Sequence, residues 1–384
     1  MKSVRAAVLE APQEIVIREF PYPAGQKSGL IVRTELAGIC GTDKHTFLGH
    51  TRQYPGAESE SVTPFPIIQG HENVGVIEEI CSGAHSTKDF NGNVLKVGDR
   101  ITMCPDVICG HCWYCRNTYG YPWCDNVKGY GNAFSAATPP HLFGGFAECM
   151  YLGDEVFVYK VPESVPPAVA VLSELFTVTL GIGAAKEVYS LANIGFGTFP
   201  SVLVLGVGPL GLLSIIRLRM MGCDKIIAMD WSAYRLAAAK RFGADSIIDM
   251  NEIATRKERV AFTRQLTDGL GVDLAVDCAN EPSAFSEGLD HLRRVGTLIE
   301  LGNFVDTGET SINVSSQVCT KNVRIIGVGN HPYTEYANVL RMFERLMTTV
   351  PFRELISHTF SLDRTKDALL KSMEPDSLKV VVKP

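Results

Sequence analysis

The chain is poor in the features that mark membrane, nucleic-acid-binding and disordered proteins, and each shortage removes a class of function. No stretch reads as the run of about 20 apolar residues that a membrane-crossing helix needs. No cluster of lysine and arginine occurs, and 36 basic against 42 acidic side chains leave a formal net charge of −6. Such a surface offers no basic footprint to a phosphate backbone or an anionic bilayer, so neither nucleic acid nor membrane is expected as a partner. Charged residues make up only 20% and hydrophobic ones 46%, too apolar a balance for a disordered chain. Internal repeats and low-complexity tracts are missing. The opening MKSVRAAVLEAP runs straight into a strand-like segment without the apolar core of a secretory leader, so a reduced, cytoplasmic setting is expected. At 384 residues the chain exceeds one ordinary core and suits two domains.

Cysteine is plentiful, at 11 residues, and four of them lie together in CGHCWYCRNTYGYPWC. Cys109, Cys112 and Cys115 follow at two-residue spacings, and Cys124 closes the set after a longer loop. Two intervening residues let a tight turn present neighbouring sulfurs on one side, and a fourth from a returning loop completes a tetrahedron around zinc. An all-cysteine shell has no open position, so this zinc is read as structural, in a lobe at about 104–130.

From residue 1 to about 165, short alternating apolar strands such as GLIVRTELAGIC and ENVGVIEEI are broken by Gly and Pro, the pattern of an antiparallel, barrel-like region. Around Ala168 a helical run begins, and from the apolar strand SVLVLG at Ser201 strands alternate with helices to about Gly329, the pattern of a doubly wound parallel sheet. The tail ends in SLKVVVKP, a strand expected to return to the first domain. The expected organisation is therefore α/β, with residues 1–171 and 330–384 forming one domain and 172–329 a doubly wound domain inserted in it.

The strand at 202–205 leads into Gly206-Val-Gly208-Pro209-Leu210-Gly211 and then the helix LLSIIRLRMM. Gly206 permits the tight turn, Gly208 lets backbone approach a pyrophosphate, Gly211 lets helix and strand pack closely, and the helix N-terminus adds partial positive charge. The next strand, KIIAMD, ends at Asp230, which suits an adenosine ribose and repels a 2′-phosphate. That favours NAD over NADP, a preference that nearby Arg235 weakens.

Upstream, Cys40 in GICGTDKH and His71 in GHE are suitable ligands for an open zinc site, in which three protein groups leave a fourth position for water or substrate. Glu72 offers a third ligand. Glu174, at the start of the helical run, offers another carboxylate, either as a ligand or as a partner of metal-bound water. Taken singly, Cys40 also reads as a small buried hydrophobe, His71 as a core histidine and both glutamates as solvated surface, so spacing alone leaves this metal open.

In order along the chain, GICGTDKH, GHE, the CGHCWYC…C lobe, GGFAE at 144–148 and VLGVGPLG resemble the zinc-containing medium-chain alcohol and polyol dehydrogenases, over nearly the whole length. The resemblance implies a GroES-like catalytic domain with a Rossmann coenzyme domain, two Zn²⁺ per chain, NAD, and a homodimer or homotetramer. It implies Cys40, His71 and Glu72 as catalytic zinc ligands, with Glu174 as the carboxylate that the sorbitol and threonine dehydrogenase branches place beside the metal. Thr42 and His45 match the proton-relay positions of the threonine dehydrogenase branch, roles suited to a hydroxyl and to an imidazole that titrates near neutrality. The implied activity is reversible hydride transfer between NAD and a secondary alcohol: a polyol, cyclitol or sugar derivative. L-Threonine 3-dehydrogenase is the rival within enzymes, and a non-catalytic NAD-binding zinc protein the rival outside them.

Three departures from the family pattern stand out. The Cys115–Cys124 loop is one residue longer than usual, Glu174 is followed by Leu-Phe rather than Pro-Leu, and the long polar loop at 49–66 and the loop at 132–145 are richer than a simple alcohol dehydrogenase would have. His50, Arg52, Glu58 and His141 in those loops are candidates to meet substrate hydroxyl or acidic groups, although solvated loop surface is the commoner role for each.

Overall fold

The computed structural model describes residues 2–54, 56, 58, 60–81, 87–186 and 200–384. They form two compact units, Met1–Thr177 with His331–Pro384, and Val178–Asn330. The first boundary falls later than the one expected after residue 171. The reason lies in the helix Ser173–Val178: Ser173 and Thr102 share a buried hydroxyl hydrogen bond of 3.1 Å, and the Phe176 ring meets Phe343 at 5.5 Å, so those turns belong to the first core. The second boundary falls one residue later than expected, at His331. The rest of the helical run from Ala168 toward Ser201 crosses 187–199, outside the described residues.

In the first unit, strand Leu30–Gly38 is central. It pairs antiparallel with Glu72–Ile80, with Cys149–Leu152 and with the C-terminal strand Lys379–Lys383. Arg100–Met103 and Val158–Lys160 extend the sheet on one side, and Ile356–Ser361 lies parallel to Lys379–Lys383 on the other. A separate sheet joins Glu14–Pro21, Ser3–Ala11 and Ile67–Ile68. Period-2 alternation sends side chains from neighbouring strands into two cores, one around Val8, Ile31, Phe47, Phe146 and Val382, the other around Val32, Ile77, Ile101, Met103 and Met150. The pairing of Gly38 with both Glu72 and Val381 carries Lys379, more than 300 residues away in sequence, to the start of the GHE strand.

The second unit holds a six-stranded parallel sheet in the order Ser246–Asp249, Lys225–Asp230, Ser201–Leu205, Val272–Asp277, Leu292–Glu300, Arg324–Gly327. Counted along the chain this is 3-2-1-4-5-6, the doubly wound order with a topological switch beside the first strand. Strands covered on both faces read as continuous apolar runs, and Val202 to Leu205, Ile226 to Met229 and Leu274 to Val276 are all buried.

Two features of the units answer to charge and hydropathy. Pro167–Lys186 is long and apolar enough to cross a membrane, against the expectation that no stretch would be; 67% of its most apolar window is buried in protein, the behaviour of a core helix. In the parallel-sheet unit, Arg259 donates to both carboxylate oxygens of Glu287, at 2.6 and 2.8 Å, with both residues buried. Burial pushes the Glu287 carboxyl up, yet the Arg259 hydrogen bonds and His291 outweigh it and hold it at about 2. A depressed folded pKa contributes stability above the unfolded value, lost as pH falls from about 4.5 toward 2. Arg259→Met leaves a buried carboxylate with only the longer His291 contact at 3.4 Å in place of its cation and costs about 3 kcal/mol of unfolding free energy at pH 7. In that variant mild acidification restores stability, because the carboxyl then prefers its proton, and Arg259→Met/Glu287→Leu recovers most of the loss. Urea unfolding at pH 7 and pH 5 reads all three outcomes.

Candidate active site

The residues singled out upstream meet through one carboxylate that carried no assigned role in the sequence reading. Helix Gly41–Leu48 starts at Cys40 and ends at Gly49, whose φ of +103° closes the helix in the left-handed region. Asp43 sits in its first turn, wholly buried, and accepts hydrogen bonds from the backbone N–H of Cys40 at 2.9 Å and of Gly70 at 3.2 Å. Its Oδ1 also lies 3.6 Å from Nδ1 of His71. One carboxylate thus ties the Cys40 segment to the GHE turn and backs the His71 ring, the arrangement that fixes a metal-binding imidazole. Burial depresses the His71 pKa, but Asp43 and the Cys40 thiol outweigh it and hold it well above 6.5.

Glu72 does not join this pair. Both its oxygens accept hydrogen bonds from Lys379 Nζ at 2.6 Å, and the same ammonium donates to the Ile39 carbonyl at 3.0 Å. Neither Glu72 nor Lys379 is solvent-exposed. A carboxylate engaged on both oxygens by a buried cation is spent as a counter-ion, so the arrangement differs from the expected Cys40, His71, Glu72 set. Glu174 behaves otherwise. It is buried, its Oε2 has no hydrogen-bond partner, and burial, helped by the Glu72 and Asp106 charges and opposed by His71 and Lys379, raises its pKa to about 8. An orphaned buried carboxyl oxygen, acting electrostatically on His71, fits a cation better than it fits a hydrophobic core. Cys40, His71 and Glu174 are therefore the groups that could hold an open metal here.

Thr42 and His45 lie three residues apart on helix Gly41–Leu48, hence on one face. Thr42 is buried and His45 half-buried. Burial, then His50 and Lys44, lower the His45 pKa to about 4, so the imidazole is neutral at pH 7. The exposed His50 ring meets it edge-on at 5.6 Å. Of the loop candidates, Arg52 pairs with Glu60 at 2.7 Å, His141 Nδ1 lies 2.8 Å from the Ala136 carbonyl, and Glu58 is exposed. Loop residue Tyr54 was not singled out; it donates to Asp106 Oδ1 at 3.0 Å.

The four lobe cysteines bring their sulfurs within 4.8 Å of one another. Backbone N–H groups point at those sulfurs: Cys112 to Cys109 and Cys115 to Cys112, each at 3.4 Å, and Cys109 and Asn126 to Cys124 at 3.2 and 3.3 Å. Such donors favour thiolate over thiol: the His111 backbone bond leads those that lower Cys109 to about 6 and Cys112 is lowered as well, while burial outweighs them at Cys115 and raises Cys124 to about 12. The set fits a closed tetrahedral zinc. The extra residue between Cys115 and Cys124 leaves this convergence intact.

In the parallel-sheet unit, Gly206 has φ +76°, and a Cβ there would lie 2.9 Å from the Ala279 backbone. A Cβ on Gly211 would come within 2.1 Å of the Gly206 carbonyl oxygen, whereas one on Gly208 would meet nothing within 4 Å. The turn is tight, the helix Pro209–Met220 packs close on it, and Gly208 faces open space, which is the cradle a pyrophosphate requires. Pro209 and Leu210 open that helix. Asp230 accepts from the backbone N–H of Val207 and of Ser232, each at 2.8 Å, which holds the carboxylate at the strand end. The backbone N–H of Arg235 donates to Ser232 Oγ at 3.2 Å, in the first turn of the following helix.

Residues 26–163 match the alcohol dehydrogenase GroES-like domain, and residues 209–345 match the zinc-binding dehydrogenase family. A sorbitol dehydrogenase of Bacillus subtilis is 29% identical over 385 aligned positions, 100% of this chain and 98% of its own. A 5-exo-hydroxycamphor dehydrogenase of Pseudomonas putida is 30% identical over 371, covering 96% of this chain and 95% of its own. Among solved structures, an alcohol dehydrogenase of Thermotoga maritima superposes with a TM-score of 0.86 at 27% identity, covering 100% of both chains. An Escherichia coli enzyme solved with NADH superposes at 0.78 with 25% identity, again covering 100% of both. The antiparallel unit, the doubly wound unit and these likenesses agree, and the chain belongs to the zinc-containing medium-chain alcohol and polyol dehydrogenases.

Proposed function

We propose that this enzyme oxidises a secondary alcohol to its ketone, reversibly, with zinc and NAD, and that the substrate is a polyol, cyclitol or sugar derivative. The observation that carries the reading is the Asp43-tied pair of Cys40 and His71 together with the unpartnered buried oxygen of Glu174. Zinc there supplies Lewis-acid polarisation of a hydroxyl, and NAD accepts hydride. The chain's own part is positioning and proton handling. Asp43 fixes the His71 ring and the Cys40 segment; Thr42 offers a hydroxyl through which a substrate proton passes; His45, neutral at pH 7 and half-exposed beside His50, passes it to solvent.

The second unit takes the dinucleotide. Asp230 favours NAD over NADP, as a carboxylate accepts from ribose hydroxyls and repels a 2′-phosphate. Two glycine variants separate ligand contact from packing. Gly208→Ala, at φ −65° and facing open space, leaves thermal stability unchanged and weakens NADH at least about tenfold. Gly211→Ala forces the helix off the turn and lowers both stability and affinity. NADH fluorescence titration and thermal melts read the pair; unchanged NADH affinity in Gly208→Ala overturns the cradle.

The functional assignment is tested by NAD reduction over cyclitols, polyols, sugars and threonine with the zinc-loaded enzyme. Turnover of a polyol or cyclitol above threonine supports it. Threonine as the best substrate moves the reading to L-threonine 3-dehydrogenase, which Thr42 and His45 favour; no turnover of any alcohol sinks both. The relatives' own names, sorbitol dehydrogenase and D-xylulose reductase among them, support the polyol side. A reduced compartment, the cytoplasm, is proposed because a four-thiolate zinc site is built from unoxidised cysteines, and a homodimer or homotetramer is proposed by the family likeness.

A further inference from the structure

Beside the residues already described lies a second set of ligand-type side chains that serves neither the cysteine lobe nor the Cys40–His71 pair. Cys104, Asp106 and His331 are all buried, and their donor atoms lie within 4.8 Å of one another. Among the described residues, only this trio and the four lobe cysteines reach that proximity. Cys104 Sγ is 3.6 Å from His331 Nε2. An edge of a zinc tetrahedron with Zn–S of about 2.3 Å and Zn–N of about 2.0–2.1 Å spans about 3.6 Å.

The groups behind the trio are those that hold ligands in place. His331 turns its other nitrogen, Nδ1, to Glu174 Oε1 at 3.4 Å, the carboxylate–histidine pairing that selects a tautomer and aims the opposite nitrogen. Asp106 Oδ1 accepts from the Tyr54 hydroxyl at 3.0 Å. No lysine or arginine pairs with Asp106 among the described residues, and the burial that raises its pKa to about 6 outweighs the Tyr54 hydrogen bond and the charge of His71. A thiol–imidazole hydrogen bond alone engages two of the three donors; a divalent cation draws on all three and adds countercharge to the buried carboxylate.

We infer that Cys104, Asp106 and His331 form a second open zinc site, with Glu174 as the carboxylate that orients His331. One thiolate, one imidazole and one carboxylate suit zinc over magnesium or calcium, which prefer all-oxygen shells. Three protein donors leave a fourth position for water or a hydroxyl of the substrate, so a polyol would meet two Lewis-acid centres rather than one.

The test is zinc content per chain of the full-length protein, reconstituted with Zn²⁺ and freed of loose metal. Wild type holds about three ions; Cys104→Ser and His331→Gln each hold about two, while the lobe zinc stays. His71→Ala loses a different ion, so His71→Ala/Cys104→Ser holds about one. With Co²⁺ in place of Zn²⁺, Cys104→Ser loses part of the thiolate-to-metal absorption. Asp106→Asn, close in shape, guards against misfolding and weakens one class of zinc by about tenfold or more. Folded Cys104→Ser and His331→Gln carrying as much zinc as wild type overturn the site. If His71→Ala keeps its zinc while Cys104→Ser loses one, this site stands and the Cys40–His71 reading falls.

Discussion

His71→Ala is expected to lose one zinc ion per chain and to lower kcat for alcohol oxidation by at least about a thousandfold, with NADH affinity unchanged. The metal loss follows from geometry: His71 is the imidazole that Asp43 backs, and the Cys40 thiol and Glu174 alone make a poor binding site. The rate loss follows from chemistry, since polarising a hydroxyl oxygen is worth several kcal/mol in the transition state, and 1.36 kcal/mol is a factor of ten. Cofactor affinity stays because its cradle, Gly206 to Gly211, belongs to the other unit. Asp43→Asn is the milder companion. It keeps the shape, loses charge behind His71, and lowers metal affinity about 10–100-fold. Elemental analysis, steady-state kinetics and NADH titration on the same preparations read these outcomes. A His71→Ala protein with full zinc content and wild-type turnover would remove the imidazole from the site.

Lys379→Met has the largest expected effect on stability. Lys379 and Glu72 are buried, bonded at 2.6 Å on both carboxylate oxygens, and burial alone would lower the lysine pKa were it not for Glu72 and Cys40. Removing the cation leaves Glu72 as an uncompensated charge, which costs about 3–5 kcal/mol. The variant therefore unfolds at lower temperature. Lys379→Met/Glu72→Gln removes both charges and recovers most of that loss, because the penalty lies in the unpaired ion rather than in the missing bond. The single variant carries a second outcome. A Glu72 freed from Lys379 is left as a carboxylate next in sequence to His71, so added Zn²⁺ raises the melting temperature of Lys379→Met more than that of wild type or of the double variant. Equal zinc responses in all three would show that Glu72 stays a counter-ion even without its partner.

The chemistry of the chain was legible wherever neighbouring residues build the site by themselves. The CxxC spacing holds three of the four lobe ligands within seven residues, and the backbone N–H groups that support their sulfurs are local too. The glycine turn is likewise local: strand, turn and helix follow one another, Gly206 and Gly211 each answer to a contact within that unit, and Gly208 faces open space. The motif GTD also contained Asp43, whose role went unread because its two other partners, Gly70 and His71, are about 27 positions away.

Spacing and periodicity thus determined the four-cysteine cluster, the glycine turn, the two-domain order and the return of the C-terminal strand. Only the tertiary structure decided which carboxylate keeps an unpartnered oxygen. Glu72 reads as a ligand in GHE, and its engagement by Lys379 depends on the central strand Leu30–Gly38 pairing with both Glu72–Ile80 and Lys379–Lys383. It likewise decided that His331 meets Cys104 and Asp106, since no spacing rule joins it to residues 227 and 225 positions away. The physical reason is common to both cases. A charge or donor buried among distant strands takes its partner from the register of the sheet, and register is fixed by the packing of whole hydrophobic faces rather than by any short segment.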